Sequence, residues 1–199
     1  MIDPFNDDIG HPKPEVAPDA VVISHEHFDH NNLGLIKGSP KVIRGLANDG
    51  KTWATLDEQV GSVRIKSVPT YHDAEQGAAR GKNAVTIYEA EGLRVVHLGD
   101  LGHLLTDEQV RAIGKVDVLM IPVGGHYTIG PAEADTVIGQ LRPRIVIPMH
   151  FKTKVNEGWP IGTLDDYVKG KPKVKRPGSA ATITAGALPD TMEIWALER

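Results

Sequence analysis

The chain has 199 residues, 40% of them hydrophobic and 24% charged, with a formal net charge of −4 and no cysteine. That length and balance fit one globular domain over residues 1–199, with a sizeable core. They exclude disulfides and thiolate metal sites, and they give no general attraction to nucleic acid or to an anionic membrane.

The first element in chain order is AVVIS (20–24), a buried strand that runs into His25. Residues 32–37 suit a short helix. IKSVPTY (65–71) is a second strand and runs into His72. NAVTIYEAEGLRVVHL reads as a hairpin around a Glu-Gly turn. Its second arm, LRVVHLG (93–99), runs into Asp100. TDEQVRAI (106–113) predicts a helix with a capping box, Thr106 to Gln109, and Gly114 as its stop. VDVLMIPV (116–123) is a strand that runs into Gly124 and Gly125. Pro131 opens a helix through AEADTVIGQL that ends near Pro143. RIVIPM (144–149) is a strand that runs into His150. TLDDYVKG (163–170) predicts a helix capped by Thr163 and stopped at Gly170. KGKPKVKR (169–176) carries five basic residues and reads as a solvated face, because no aromatics interleave it. SAATITAG and TMEIWALE predict two last strands. Strands and helices alternate, which gives an α/β sandwich.

Four of the five buried strands end at a histidine or aspartate. Strand ends that lie side by side bring such residues to one sheet edge, where α/β proteins bind ligands. The densest cluster is SHEHFDHNN (24–32). Side chains two apart on extended backbone point the same way, so His25 and His27 can hold one ion together. Asp29 and His30 are adjacent, so the chain must turn there for both to face a second ion. Each ion needs at least three protein ligands, and His72 and His150 are the natural completions. Asp100 is placed to bridge two ions. Imidazole and carboxylate suit Zn, and also Mn, Fe or Co. Glu26 and Phe28 are expected to point away from the ions, and Asn31 and Asn32 to support the turn. His11, His97, His103 and His126 stand alone and read as ordinary structural or surface residues.

The order H-x-H-x-D-H, a distant His, GD and then PMH resembles the metallo-β-lactamase superfamily. IDPF, SHEHFDH, VPTYHD, HLGDLGH, LMIPVGG and IVIPMH are similar to the small metal-dependent hydrolase branch that includes the L-ascorbate-6-phosphate lactonase. The resemblance implies an αββα sandwich with the site at one edge of two sheets. It also implies about two strands before IDPF that this sequence lacks, which would leave a sheet edge open to a second copy. By resemblance, His25, His27 and His72 hold the first metal. Asp29, His30 and His150 hold the second, and Asp100 bridges.

Two divalent ions, two carboxylates and a bridging hydroxide leave a site of about +1, which favours a small anionic substrate. The expected reaction is attack of that hydroxide on an ester, lactone or phosphoester, with Asp29 and Asp100 as candidates for moving a proton. Arg80, Lys82, Tyr127 and Lys152 follow ligand-bearing strand ends and are the candidates for binding substrate. No apolar run approaches the roughly 20 residues that span a bilayer, and the start has no signal-peptide pattern, so a cytoplasmic protein is expected. An iron-dependent redox enzyme and an RNA-processing nuclease on the same fold are the alternatives. The first is disfavoured by His27, where oxygen-reducing relatives carry Glu. The second is disfavoured by the absence of a long insertion.

Overall fold

The computed structural model describes residues 1–198. After a 3-10 turn at Asp7–Ile9 come β1 (Ala20–Ile23), a 3-10 turn at Leu33–Leu35, β2 (Lys41–Arg44), β3 (Leu46–Ala47), β4 (Thr52–Trp53) and β5 (Asp57–Val60). Then follow β6 (Val63–Tyr71), β7 (Lys82–Ala90), β8 (Leu93–His97), α1 (Asp107–Ile113), β9 (Val118–Pro122), α2 (Pro131–Leu141) and β10 (Ile145–Met149). The chain closes with a 3-10 turn at Lys154–Asn156, α3 (Leu164–Val168), β11 (Val174–Lys175), a 3-10 turn at Ala185–Ala187 and β12 (Glu193–Trp195).

Eight strands form one mixed sheet in the order β11-β12-β10-β9-β8-β7-β6-β5. β8, β9, β10 and β12 run parallel, and β5 to β8 form an antiparallel meander. Alternation along each strand sends successive side chains to opposite faces. On one face Val96, Leu119, Ile121 and Val146 pack under the helices, against Ile113, Val137, Ile138, Leu141 and Tyr167. On the other face Ile65 of β6 meets Val22 of β1 and Ile43 of β2, which pair in parallel as a small second sheet. Further along that face, Val118, Ile145 and Ile147 are covered by Ile183 and Leu188 from the tail. The layers are therefore helix, sheet and sheet, an α/β sandwich with three of the four layers of the αββα arrangement, since among the described residues all three α-helices pack on the large sheet.

The helix punctuation is as the sequence predicts. Thr106 and Gln109 cap α1 reciprocally, Pro131 sits at the start of α2, and Thr163 caps α3. Glu91 and Gly92 both take positive φ and turn β7 into β8. One expectation fails. SAATITAG forms no strand; its end is a 3-10 turn. Both edges of β12 are taken, by β10 and β11, and the segment joins no ladder; it packs Ile183 on the sheet face instead. The solvated reading of KGKPKVKR fits its ion pairs, Lys171 to Asp135, Lys175 to Glu193 and Arg176 to Asp165.

The start of the chain lies beside β1. The amide of Val22 donates to the Met1 carbonyl and that of Asp3 donates to the Val22 carbonyl, so Ile2 bridges to Val22. Among the described residues, no helix is long and apolar enough to cross a membrane.

Core packing should dominate stability. Leu119 is fully buried in the middle of the parallel strands, and Leu119→Ala is expected to cost about 2–5 kcal/mol in urea denaturation. Val42→Ala, on a side chain 40% exposed, should cost under about 1 kcal/mol.

Candidate metal centre

Four elements deliver ligand-type side chains to one point. β1 ends at Ile23 and releases the turn that carries His25, His27, Asp29 and His30. β6 ends before His72, β8 before Asp100 and β10 before His150. The turn is closed by the His30 amide donating to the His27 carbonyl at 2.9 Å. That bend lets His27 and His30 face the same centre although a straight strand would separate them.

Asp100 lies in the middle. Its Oδ2 is 3.2 Å from His72 Nε2, 3.3 Å from His150 Nε2, 3.4 Å from His30 Nε2 and 3.9 Å from His25 Nε2. Asp29 Oδ2 stands 3.9 Å from His30 Nε2. Ligating atoms of His25, His27 and His72 cluster within 4.8 Å of one another, as do those of His30, Asp100 and His150. Two ligands on one tetrahedral ion at about 2.0–2.1 Å stand roughly 3.3 Å apart, so these spacings suit a metal. His25 Nε2 is buried, is aimed at the cluster and has no hydrogen-bond partner among the described residues. A buried polar atom left alone is costly, and an ion would satisfy it. His30, Asp100 and His150 also line a cavity of about 670 Å³ that reaches Phe5, Phe151 and Trp159.

The titration pattern follows from this crowding. Burial pushes His25 down to about 3, and neighbouring His30 adds to the effect. Burial and then His72 lower His27. Burial opposes charge on His30 too, yet the carboxylates of Asp100, Asp3 and Asp29 raise it to about 10. Burial works against an ionised Asp100, but His30 and His150 hold it well below the ordinary carboxylate range. His150 is raised by Asp100 despite burial.

The outer atoms of the imidazoles are tied down by residues to which sequence reasoning assigned no role. Asp3 accepts from the Ser24 amide at 2.7 Å and from its hydroxyl at 2.6 Å. It also meets His30 Nδ1 at 3.3 Å, and Ser24 Oγ meets His25 Nδ1 at 2.9 Å. One carboxylate thus orients two imidazoles, leaving each Nε2 to face inward. Asn83, fully buried, accepts the Asp100 amide at 3.0 Å while its amide nitrogen donates to Thr70 Oγ1 and to the Leu98 carbonyl. IDPF carried the only sequence signal for Asp3, and nothing local marked Asn83.

Close backbone approach explains two of the glycines. A Cβ at Gly102 would stand 2.2 Å from the His72 carbonyl carbon, and one at Gly124 would stand 2.2 Å from the His150 carbonyl oxygen. His150 itself sits in the left-handed region at φ 51°, a strained conformation typical of functional positions.

The remaining expected residues lie outside the cluster. Glu26 turns away and pairs with Arg44 and Asn31; Phe28 is exposed; Asn32 caps the turn at Leu33–Leu35. Arg80 lies over the Tyr127 ring, 5.8 Å from its centroid. Tyr127 is 6.5 Å from the His150 ring and 6.0 Å from Trp159. Lys82 sits on the Trp53 ring instead, at 4.9 Å. Lys152 is held through its backbone to Gly162. Of the histidines read as ordinary, His126 is exposed and His103 Nε2 accepts the Tyr71 amide. His97 is buried, takes the Gly99 amide on Nδ1 and lines the cavity.

Two outcomes are expected from these contacts. Asp3→Asn should weaken metal affinity by about 10–100-fold with little change in far-UV circular dichroism, as measured by competition against a chromophoric chelator. The second concerns pH. His30, raised to about 10, carries a proton at neutral pH that an ion must displace, whereas His25, lowered to about 3, is already neutral. Acid should therefore weaken binding at His30, Asp100 and His150 more steeply than at His25, His27 and His72. Metal titrations at about pH 8 and about pH 5.5, with proton release read from two buffers, would check the sign.

Comparison with known proteins agrees with this geometry. The beta-lactamase superfamily domain matches residues 1–150. A UPF0173 metal-dependent hydrolase from Thermococcus onnurineus is 30% identical over 187 residues, covering 80% of this chain and 78% of the relative. Another from Thermococcus kodakarensis is 30% identical over 183 residues, with the same coverage of 80% and 78%. A Thermotoga maritima structure, solved as a candidate Zn-dependent hydrolase of the metallo-β-lactamase superfamily, superposes with a TM-score of 0.77 at 37% identity. It covers 98% of this chain and 87% of that one. A Parabacteroides distasonis structure shares the fold at a TM-score of 0.62 and 20% identity, over 98% of this chain and 82% of that one. The buried His and Asp cluster thus sits in a chain that belongs to the metallo-β-lactamase superfamily and, within it, to the UPF0173 metal-dependent hydrolases.

Proposed function

We propose that this hydrolase is dinuclear and acts on a small anionic ester, lactone or phosphoester. The observation that carries the reading is the position of Asp100 Oδ2, within 3.2–3.9 Å of the Nε2 atoms of four histidines from both ligand sets. A carboxylate so placed is shared between two centres rather than owned by one. In this reading His25, His27 and His72 hold the first ion, Asp29, His30 and His150 the second, and Asp100 both. The all-nitrogen-and-oxygen donor set suits Zn best, with Mn or Fe as other occupants. Bound there, divalent ions would make water nucleophilic near neutral pH and polarise the substrate oxygen.

The protein's own residues do the rest. Asp100, 5% exposed at its side chain, is held ionised by the imidazoles around it. Asp29, 21% exposed at its side chain, is the carboxylate better placed to take or give a proton at the substrate. Arg80 and Tyr127 stand at the rim on the His150 side, where a substrate anion would arrive. Lys152 remains a candidate through its place just after His150, and Lys82 is occupied on Trp53. A phosphate-bearing lactone, the substrate type of the L-ascorbate-6-phosphate lactonase that the sequence resembles, falls in this class.

The reading is tested by elemental analysis and a panel of lactones, phosphodiesters and carboxylic esters. Chelation should abolish turnover and added Zn or Mn should restore it, with close to two ions per chain. His25→Ala/His27→Ala should lose more than about 100-fold, beyond what outer-shell changes cost. Full activity in that double variant, or after complete metal removal, would refute the proposal.

A further inference from the structure

The loop between β6 and β7, DAEQGAAR, is held from inside by one carboxylate. Asp73, buried directly after His72, accepts four backbone amides: Glu75 at 2.8 Å, Gly77 at 2.8 Å, Ala79 at 3.1 Å and Arg80 at 2.6 Å. The loop is closed at its base by the His72 amide on the Gly81 carbonyl and by the Gly81 amide on the Gly77 carbonyl. Such a loop has little freedom left, so the residue it presents is preorganised rather than floppy.

That residue is Arg80. Its backbone is pinned by Asp73 and its guanidinium rests over Tyr127 at 5.8 Å. Tyr127 is braced edge-on by Trp159 and faces the His150 ring. Among the described residues no carboxylate pairs with the Arg80 guanidinium, although most other arginines here have one: Arg44 with Glu26, Arg64 with Asp57, Arg94 with Glu89 and Arg176 with Asp165. A guanidinium that stands over an aromatic ring and has no carboxylate partner keeps its N–H groups available for an oxyanion.

We propose that Arg80, presented by the Asp73-pinned loop and standing over the Tyr127 ring, is the specificity residue that binds a second oxyanion of the substrate, a carboxylate or phosphate, one aromatic ring away from the reacting bond. This rests on the hydrolase reading above and sharpens its substrate class. The substrate is bifunctional: one end is the hydrolysable bond at the His and Asp cluster, and the other is a negative group that never reacts. Lys would not replace Arg here, because an ammonium lacks the planar fork that pairs with both oxygens of an oxyanion.

Two measurements separate this proposal from the reading beneath it. The first needs no catalysis. Glutarate, propyl phosphate and neutral glutaramide are titrated into metal-free and Zn-loaded protein, followed by Trp fluorescence and calorimetry. Wild type should bind at least one of the two anions, and glutaramide should not bind. Arg80→Ala should weaken anion binding about tenfold or more, and Arg80→Lys should recover only part of it. The tighter of the two anions identifies the group. The second compares kcat/KM for mono-4-nitrophenyl glutarate and 4-nitrophenyl valerate. Their ratio should fall about tenfold in Arg80→Ala, chiefly through KM. Asp73→Asn should lower the same ratio without removing the guanidinium. If neither anion binds wild type, or if Arg80→Ala binds it unchanged, the proposal is overturned. If anions bind as expected but no ester in the panel is hydrolysed, Arg80 stands as an anion site and the hydrolase reading has failed.

Discussion

Everything in this molecule is arranged around the Asp100 carboxylate. It is buried to 4% exposure among imidazoles. An ionised carboxylate taken out of water is costly unless charge and hydrogen bonds surround it. Here the compensation arrives from three other strand ends at once, those of β1, β6 and β10. His30 and His150 are raised and Asp100 is lowered, so in the absence of an ion the centre neutralises itself with protons. The same atoms that balance the charge with protons are those an ion would take over. Metal capture is therefore an exchange of cations at a site already folded for them, and it is linked to proton release.

That centre can be built only because the strands end in register. β8, β9 and β10 are parallel neighbours, so His97, Pro122 and Met149 terminate at one edge of the large sheet. The residues that follow, Asp100, Gly124 and His150, leave the sheet together. β6, antiparallel to β7, delivers His72 to the same edge. β1 comes from the other sheet and brings the His25 to His30 turn across the gap. Tolerances are small. Backbones at Gly102 and Gly124 approach within distances that admit no side chain, and His150 is held in a left-handed conformation. Asp3 then locks two imidazoles from outside, and Asn83 locks the Asp100 amide. The result is a rigid inner shell, in which ligand geometry is set before any ion or substrate arrives.

The rim follows another logic. Arg80, Tyr127 and Trp159 come from three separate loops, with Arg80 over the Tyr127 ring and Tyr127 edge-on to Trp159. In the proposed reading, chemistry and selectivity are divided between a fixed core of histidines and a changeable wall. Loops on a rigid scaffold tolerate variation that the inner shell cannot. In this way one superfamily fold serves different substrates.

Much of this was legible in the residues themselves. Buried strands, helix caps and the Glu-Gly turn are local, and local physics decides them: β-branched runs, N-cap side chains and a positive φ at Gly92. SHEHFDHNN announced a metal site because that many ligands within six residues have no cheaper use. Other features could not be read from the order of residues. Which ligands share a centre depends on how strand ends meet. The roles of Asp3 and Asn83 depend on contacts 21 and 17 residues away in sequence. Lys82 and Arg80, two residues apart, looked equivalent as charges; packing sent one onto Trp53 and the other onto Tyr127. SAATITAG had the composition of a strand but packed Ile183 on the sheet face instead of joining a ladder. Sequence determined the chemistry available and the elements that carry it. Tertiary structure decided the partners, because a hydrogen bond or a ring contact is set by distance in space.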